Sequence, residues 1–105
     1  MSISNLFPIK NRFQEGLNEA KSFPEAIILD VRTPQEYNSG HVPGSINLPL
    51  NRIHEVNISK DIPLYVHCLS GARSKQACSY LKARGYRAKN IGGISNYKGP
   101  LVKEL

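Results

Sequence analysis

Two short stretches, AIILD at residues 26–30 and PLYVHC at residues 63–68, most narrow what this chain can fold into. Each is a nearly unbroken apolar run that ends on a polar or reactive side chain. Neither alternates apolar with polar residues, as a strand with one wet face does. A run buried on both faces belongs in the interior of a parallel sheet, where crossover helices cover the two sides. Pro63 is acceptable because it stands at the first residue of its run. Brevity alone leaves AIILD compatible with a buried helix, so the segments between the runs must decide.

Those segments read as helices. Residues 9–21, IKNRFQEGLNEAK, set Ile9, Phe13, Leu17 and Ala20 at helical spacing, with Gly16 weakening the pattern. Residues 33–40, TPQEYNSG, place Thr33 as N-cap, Pro34 at the first helical position, Glu36 as the capping-box partner and Gly40 as the stop. GHVPGS then turns the chain into a short strand, INLP, at 46–49, and the polar stretch 50–62 predicts a short helix or turn over the sheet edge. Residues 74–85, SKQACSYLKARG, put Ala77, Cys78 and Leu81 on one face, turn Lys75, Lys82 and Arg84 outward, and end on Gly85. AKNI at 88–91 is a last strand ahead of a Gly-Gly pair, and the remainder to residue 105 reads as a turn with a final short helix. Strands alternate with helices throughout, without an internal repeat. The expected fold is α/β, a small, mostly parallel central sheet with helices on both faces. A chain of 105 residues is expected to form one domain, residues 1–105, burying about 65% of the surface its unfolded chain exposes.

Composition removes several classes of function. Lys and Arg outnumber Asp and Glu by 14 to 8, and from Arg73 onward eight basic residues face the single acid Glu104. Such a surface favours small anions or an acidic partner. Aromatic residues do not alternate with the basic ones as a stacking groove needs, so nucleic acid is not the expected ligand. No stretch approaches the length of a membrane span, and the N-terminal residues lack a signal-peptide pattern. Two cysteines are too few for a disulfide framework or a zinc knot, and no metal or cofactor is expected. A reducing cytoplasm is the natural setting for such thiols, and there a free thiol can be a reagent.

Sites in open parallel sheets lie at the carboxyl ends of the strands, and Cys68 falls at one. The loop that follows, Leu69, Ser70, Gly71, Ala72 and Arg73, leads to a helix whose first N–H groups point back toward it. If it curls, its N–H groups converge on a nest for an anion, with Gly71 free to take a positive φ. A cysteine at the rim of that nest, near Arg73, should hold its thiolate at a lowered pKa. Ser70 and Ser74 are placed to add hydroxyl donors. Two chemistries use this arrangement: phosphoryl transfer through a cysteinyl phosphate, and sulfane sulfur transfer through a cysteine persulfide. A tetrahedral phosphoryl group needs the wider cradle, whereas one added sulfur needs only a small ring of donors.

LDVRTPQEYNSGHVPGSINLP, HCLSGARS and NIGGISNY together resemble the three signatures of the rhodanese family of sulfurtransferases, over about residues 5–101. In cysteine phosphatases of related loop architecture the arginine follows the cysteine by six positions; here Arg73 follows Cys68 by five, which favours sulfur. The resemblance implies a ping-pong reaction in which Cys68 takes the outer sulfur of a donor such as thiosulfate and passes it to cyanide or a cellular thiol. It implies small sulfur-containing anions, thiol acceptors or a sulfur-relay protein as partners, and a donor-contacting, thiolate-stabilising role for Arg73. It also implies that Asp30, Arg32, Glu36 and His41 support the site, with Glu36 a candidate partner for Arg32. The family often carries a tryptophan after the Gly-Gly segment, where Tyr97 stands here. His67 should point away from Cys68 by the two-residue strand period, and Cys78 should pack in the core, a Cys68–Cys78 disulfide being the minor alternative. Arg52, Lys75 and Lys98 are candidate steering charges. The rival functions are a cysteine-based phosphatase or arsenate reductase, and a non-catalytic protein-binding module. Oligomeric state and physiological substrates stay open.

Overall fold

A computed structural model describes residues 12–104. The two apolar runs form adjacent interior strands, β1 (Ile27–Asp30) and β3 (Leu64–Cys68). With β2 (Ile46–Asn47) and β4 (Ala88–Gly93) they make a four-stranded sheet in the order β2-β1-β3-β4, every pairing parallel. All residues of β3 are buried, as a strand with neighbours on both edges and helices on both faces requires.

The strand period divides the core into two layers. Leu29, Leu64, Val66 and Cys68 face α3 (Ala72–Ala83), whose Ala77, Cys78 and Leu81 pack against them with Ile53. Tyr65 and Ile91 face the other way, against Phe13, Leu17 and Ala20 of α1 (Arg12–Lys21). Gly16, which weakened the sequence pattern, is what lets α1 approach the sheet: a Cβ there would collide with Ile91. Positions 9–11 of the expected helix, Ile9 among them, lie outside the described residues.

α2 (Pro34–Ser39) carries the expected capping box. The Glu36 N–H donates to Thr33 Oγ1 at 3.2 Å and the Thr33 N–H to Glu36 Oε1 at 2.9 Å. Gly85 sits just past α3 with φ +91°, donating to the Lys82 carbonyl at 3.0 Å.

Several boundaries differ from the sequence expectation. β2 spans two residues rather than four, because Leu48 and Leu50 leave the ladder and donate singly to the Asp30 and Val31 carbonyls. The 50–62 stretch supplies a 3-10 helix at Leu50–Glu55 whose Ile53 is buried beside α3. α3 begins at Ala72, so Ala72, Arg73 and Ser74 form its first turn instead of preceding it. β4 runs on through Gly92 and Gly93, which pair with His67 and Cys68 after a register shift at Val66/His67. In place of a final helix, Val102 exchanges backbone hydrogen bonds with His41, at 2.9 and 2.8 Å.

Candidate functional site

The end of β3 delivers Cys68 to the start of α3, and the short link between them wraps the sulfur in donors. The side chain is only 1% exposed. Gly71 takes φ +106°, a backbone region that costs other residues strain, and so turns its N–H onto Cys68 Sγ at 3.0 Å. Ser74, in the first turn of α3, adds its N–H at 3.4 Å and its hydroxyl at 3.5 Å. Burial pushes the Cys68 thiol up; hydrogen bonds from the Ser74 hydroxyl and from the N–H groups of Ser74, Gly71 and Ser70 outweigh it and hold the pKa below the ordinary thiol value. Ser70, Gly71 and Ser74 thus form a ring of donors around the sulfur. Leu69 stands exposed at its rim and Ala72 is exposed on the helix.

The Gly-Gly segment explains how the loop stays closed. Gly93 lies so close to the loop backbone that a Cβ would meet the Leu69 carbonyl. Beyond it, the N–H groups of Ile94 and Ser95 donate to the Cys68 and Leu69 carbonyls at 3.0 and 3.1 Å.

One residue of this assembly escaped the sequence reading. Asn90 Oδ1 accepts from the Ser74 hydroxyl at 2.7 Å and from the Gly92 N–H at 3.0 Å, while its Nδ2 donates to the Gly71 carbonyl at 3.3 Å. The amide thus ties β4 to the loop on one side and to Ser74 on the other. Because a hydroxyl has one proton, Ser74 can donate to Asn90 while accepting from the thiol, or turn its proton to the sulfur once the thiolate forms. The available signal was a polar amide inside a strand that is otherwise largely apolar, two residues before the Gly-Gly pair.

Arg73 and Glu36 depart from the expected pairing. Arg73 Nη1 and Nη2 bind Glu36 Oε1 and Oε2 at 2.7 and 3.0 Å, a two-pronged contact between the starts of α3 and α2. Glu36 therefore pairs with Arg73 and not with Arg32. The Arg73 fork holds the Glu36 carboxyl down at about 2 against the opposing effect of burial, with Thr33 assisting. Arg32 instead binds Asp30, with Nη2 to Oδ2 at 2.7 Å, and reaches the Gly40 carbonyl at 2.8 Å. Both members of that pair are buried, so it braces the end of β1 against the end of α2.

His41 is also buried; it stacks on Tyr37 with ring centroids 3.7 Å apart and serves the β-bridge to Val102. The His67 ring points into the α1 layer, edge-on to Phe13, on the face opposite Cys68. Its Nδ1 lies 3.2 Å from the Cys68 carbonyl, and burial lowers its pKa despite Asp30, 3.7 Å from Nε2. Tyr97 packs edge-on against Phe13, consistent with a packing role. Arg52 is paired with Glu55, which leaves it a poor steering charge, while Lys75 and Lys98 are exposed. Among the described residues no cluster of ligating side chains forms a metal site, and no helix is long and apolar enough to cross a membrane.

Comparison with known proteins agrees with this geometry. The family model of the rhodanese-like domain matches residues 11–100. The chain is 36% identical over 91 residues to a sulfurtransferase of Allochromatium vinosum, covering 84% of this chain and 80% of that one. To the thiosulfate sulfurtransferase PspE of Escherichia coli it is 37% identical over 81 residues, covering 71% and 77%. Among solved structures, a rhodanese-like domain protein from Staphylococcus aureus superposes with TM-score 0.78 at 30% identity, covering 89% of this chain and 95% of that one. The match spans the three sequence signatures and the sheet that carries them, and the chain belongs to the rhodanese-like domain family.

Proposed function

We propose that this protein is a sulfurtransferase that carries sulfane sulfur on Cys68. The observation that carries the reading is the donor ring: the Gly71 N–H at 3.0 Å and the Ser74 N–H at 3.4 Å converge on Cys68 Sγ. The Cys68 thiolate attacks the outer sulfur of a donor such as thiosulfate. The S–S bond of the donor breaks, its electron pair leaves with sulfite, and a new S–S bond forms on Cys68. The persulfide keeps the negative charge, which the same N–H groups are aimed to hold. An acceptor such as cyanide or a cellular thiol then attacks the terminal sulfur and returns the thiolate.

A thiol whose pKa is held below the ordinary value reaches the thiolate more readily without a dedicated general base. His67 supports that reading, because its ring lies on the other face of the strand. Arg73 supplies positive potential for an anionic donor at the loop, with Glu36 holding its guanidinium in place. Asp30, Arg32 and His41 act as bracing for the loops around the site.

Intact-protein mass tests the proposal. After incubation with thiosulfate and removal of excess donor, the protein should gain about 32 Da, one sulfur atom. The gain should be absent in Cys68→Ala and should discharge as thiocyanate on addition of cyanide. A folded, reduced protein that gains no sulfur from thiosulfate or polysulfide would overturn the reading and point to phosphate esters or protein partners.

A further inference from the structure

Beside the Cys68 loop lies a second feature. A cavity of about 540 Å³ opens between α3 and the start of α1. Lys75, Ser79 and Lys82, spaced four and three residues apart on α3, line one wall. Arg12 and Asn90 line the other. The Arg12 guanidinium is held there by donation from Nη2 to the Asn90 carbonyl at 3.0 Å. Cys68 does not line this space.

Among the described residues the charges in this cavity are unmatched, and no carboxylate lines it. Arg32, Arg52, Arg73 and Lys89 each have a carboxylate partner, whereas Arg12, Lys75 and Lys82 have none among the described residues. Glu15 and Glu19 of α1 line a separate, smaller cavity of about 130 Å³, and Glu19 is taken up by Lys89 at 2.8 Å. Lys75 also stands near the N-terminus of α3, where the helix dipole disfavours a cation unless an anion is close. Cys78, which also lines the cavity, adds no negative charge: burial pushes its thiol up to about 11, even though Lys82 and Arg12 pull the other way. The volume is within the range of small-molecule sites.

We propose that this cavity binds a small organic polyanion carrying two or more carboxylate or phosphate groups. The cavity adjoins the sulfur-carrying loop, sharing Ser70, Gly71 and Asn90 with it, while its cations come from Arg12, Lys75 and Lys82. Lys75 and Lys82, seven residues apart on α3, stand about 10 Å from each other along the helix, a spacing that suits an anion with several charged groups better than chloride or acetate.

Calorimetric titration of the full chain with pyrophosphate and with citrate at low ionic strength tests this. Saturable one-to-one binding of at least one probe is expected, and which probe binds distinguishes phosphate from carboxylate chemistry. Lys75→Ala and Lys82→Ala should each weaken it by roughly tenfold, the scale of one lost charge-assisted hydrogen bond. Arg52→Ala, at an exposed cation elsewhere, should leave it unchanged. Binding should persist in Cys68→Ala, so that failure of the sulfurtransferase reading and failure of this one are separate results. Absence of saturable binding by both probes, equal loss in Arg52→Ala, or binding only of an acidic peptide would overturn the proposal. Exchange of Lys82 for Arg, which keeps the charge, should keep most of the affinity.

Discussion

Cys68 and Cys78 lie ten positions apart, pack in the same core layer, and are both almost fully buried, yet their thiols respond in opposite directions. Cys78 shows what burial does to an unassisted thiol: with no hydrogen bond to its sulfur from the described residues, its pKa is pushed up to about 11 although Lys82 and Arg12 pull the other way, and it stays neutral. Cys68 experiences the same kind of desolvation and is nevertheless held below the ordinary thiol value. The difference is the loop, which aims backbone N–H groups and one hydroxyl at the sulfur. The direction of each thiol's shift is thus set by donor placement.

The hardest blow to that contrast is Gly71→Ala. An added Cβ would meet Gly92 Cα at 3.5 Å, which is ordinary contact, so space is not the obstacle. The obstacle is φ +106°, where an alanine is strained by about 1–3 kcal/mol. The protein should lose that much stability in denaturant unfolding. If instead the loop relaxes, the Gly71 N–H leaves the sulfur and the Cys68 pKa rises toward that of an unassisted buried thiol. Unchanged stability together with an unchanged thiol titration would show that the positive φ does not hold the donor ring.

Ser74→Ala sharpens the comparison by removing a donor without altering φ. The hydroxyl stabilises the charged form, so its loss raises the Cys68 pKa and moves the rise of activity with pH to higher pH. At pH values below the thiol pKa, the thiolate fraction, and activity with it, should fall by about tenfold for every tenfold weakening of the thiol as an acid. Arg73→Ala should move this midpoint less, because the Arg73 guanidinium is bound by Glu36 and its attraction to the Cys68 thiolate is minor beside the hydrogen bonds at the sulfur. Its expected signature is a higher KM for an anionic donor. Thiolate absorbance against pH, followed in both variants, separates the two effects; a larger midpoint change in Arg73→Ala would transfer the main role from the N–H ring to the distant charge.

The parts of this arrangement that were legible in sequence are the local ones. An apolar run ending in Cys68, a glycine three residues on and a helix pattern after it suffice to place a thiol at a strand-to-helix turn, because each signal lies within a few positions of the next. The Thr33–Glu36 capping box is likewise local. The partner of Glu36 was not legible: Arg32 is four positions away and Arg73 thirty-seven, and only the packing of α2 beside α3 decides between them. Asn90 was missed for a related reason. Its amide reaches Ser74 and Gly71 from another strand, at a place set by the register shift opposite Val66 and His67, which no sequence period reports. The extension of β4 through its glycines follows from close backbone approach to the Leu69 carbonyl, again a property of two distant segments.

The smallest expected effect belongs to Cys78→Ala, and its smallness is what the comparison requires. The thiol is neutral at physiological pH and packs beside Ala77 and Leu81, so replacing it removes one buried sulfur and no charge. Loss of stability should be about 1 kcal/mol, in the range of a modest deletion in a core. The mass gain from thiosulfate, the thiocyanate release and the pH midpoint of Cys68 should all stay as in the parent protein. A folded Cys78→Ala protein that charges Cys68 with sulfur but cannot discharge it would give Cys78 a part in transfer. In that event the high thiol pKa would have to fall in the persulfide form, and the contrast between an assisted and an unassisted buried cysteine would hold only for the resting state.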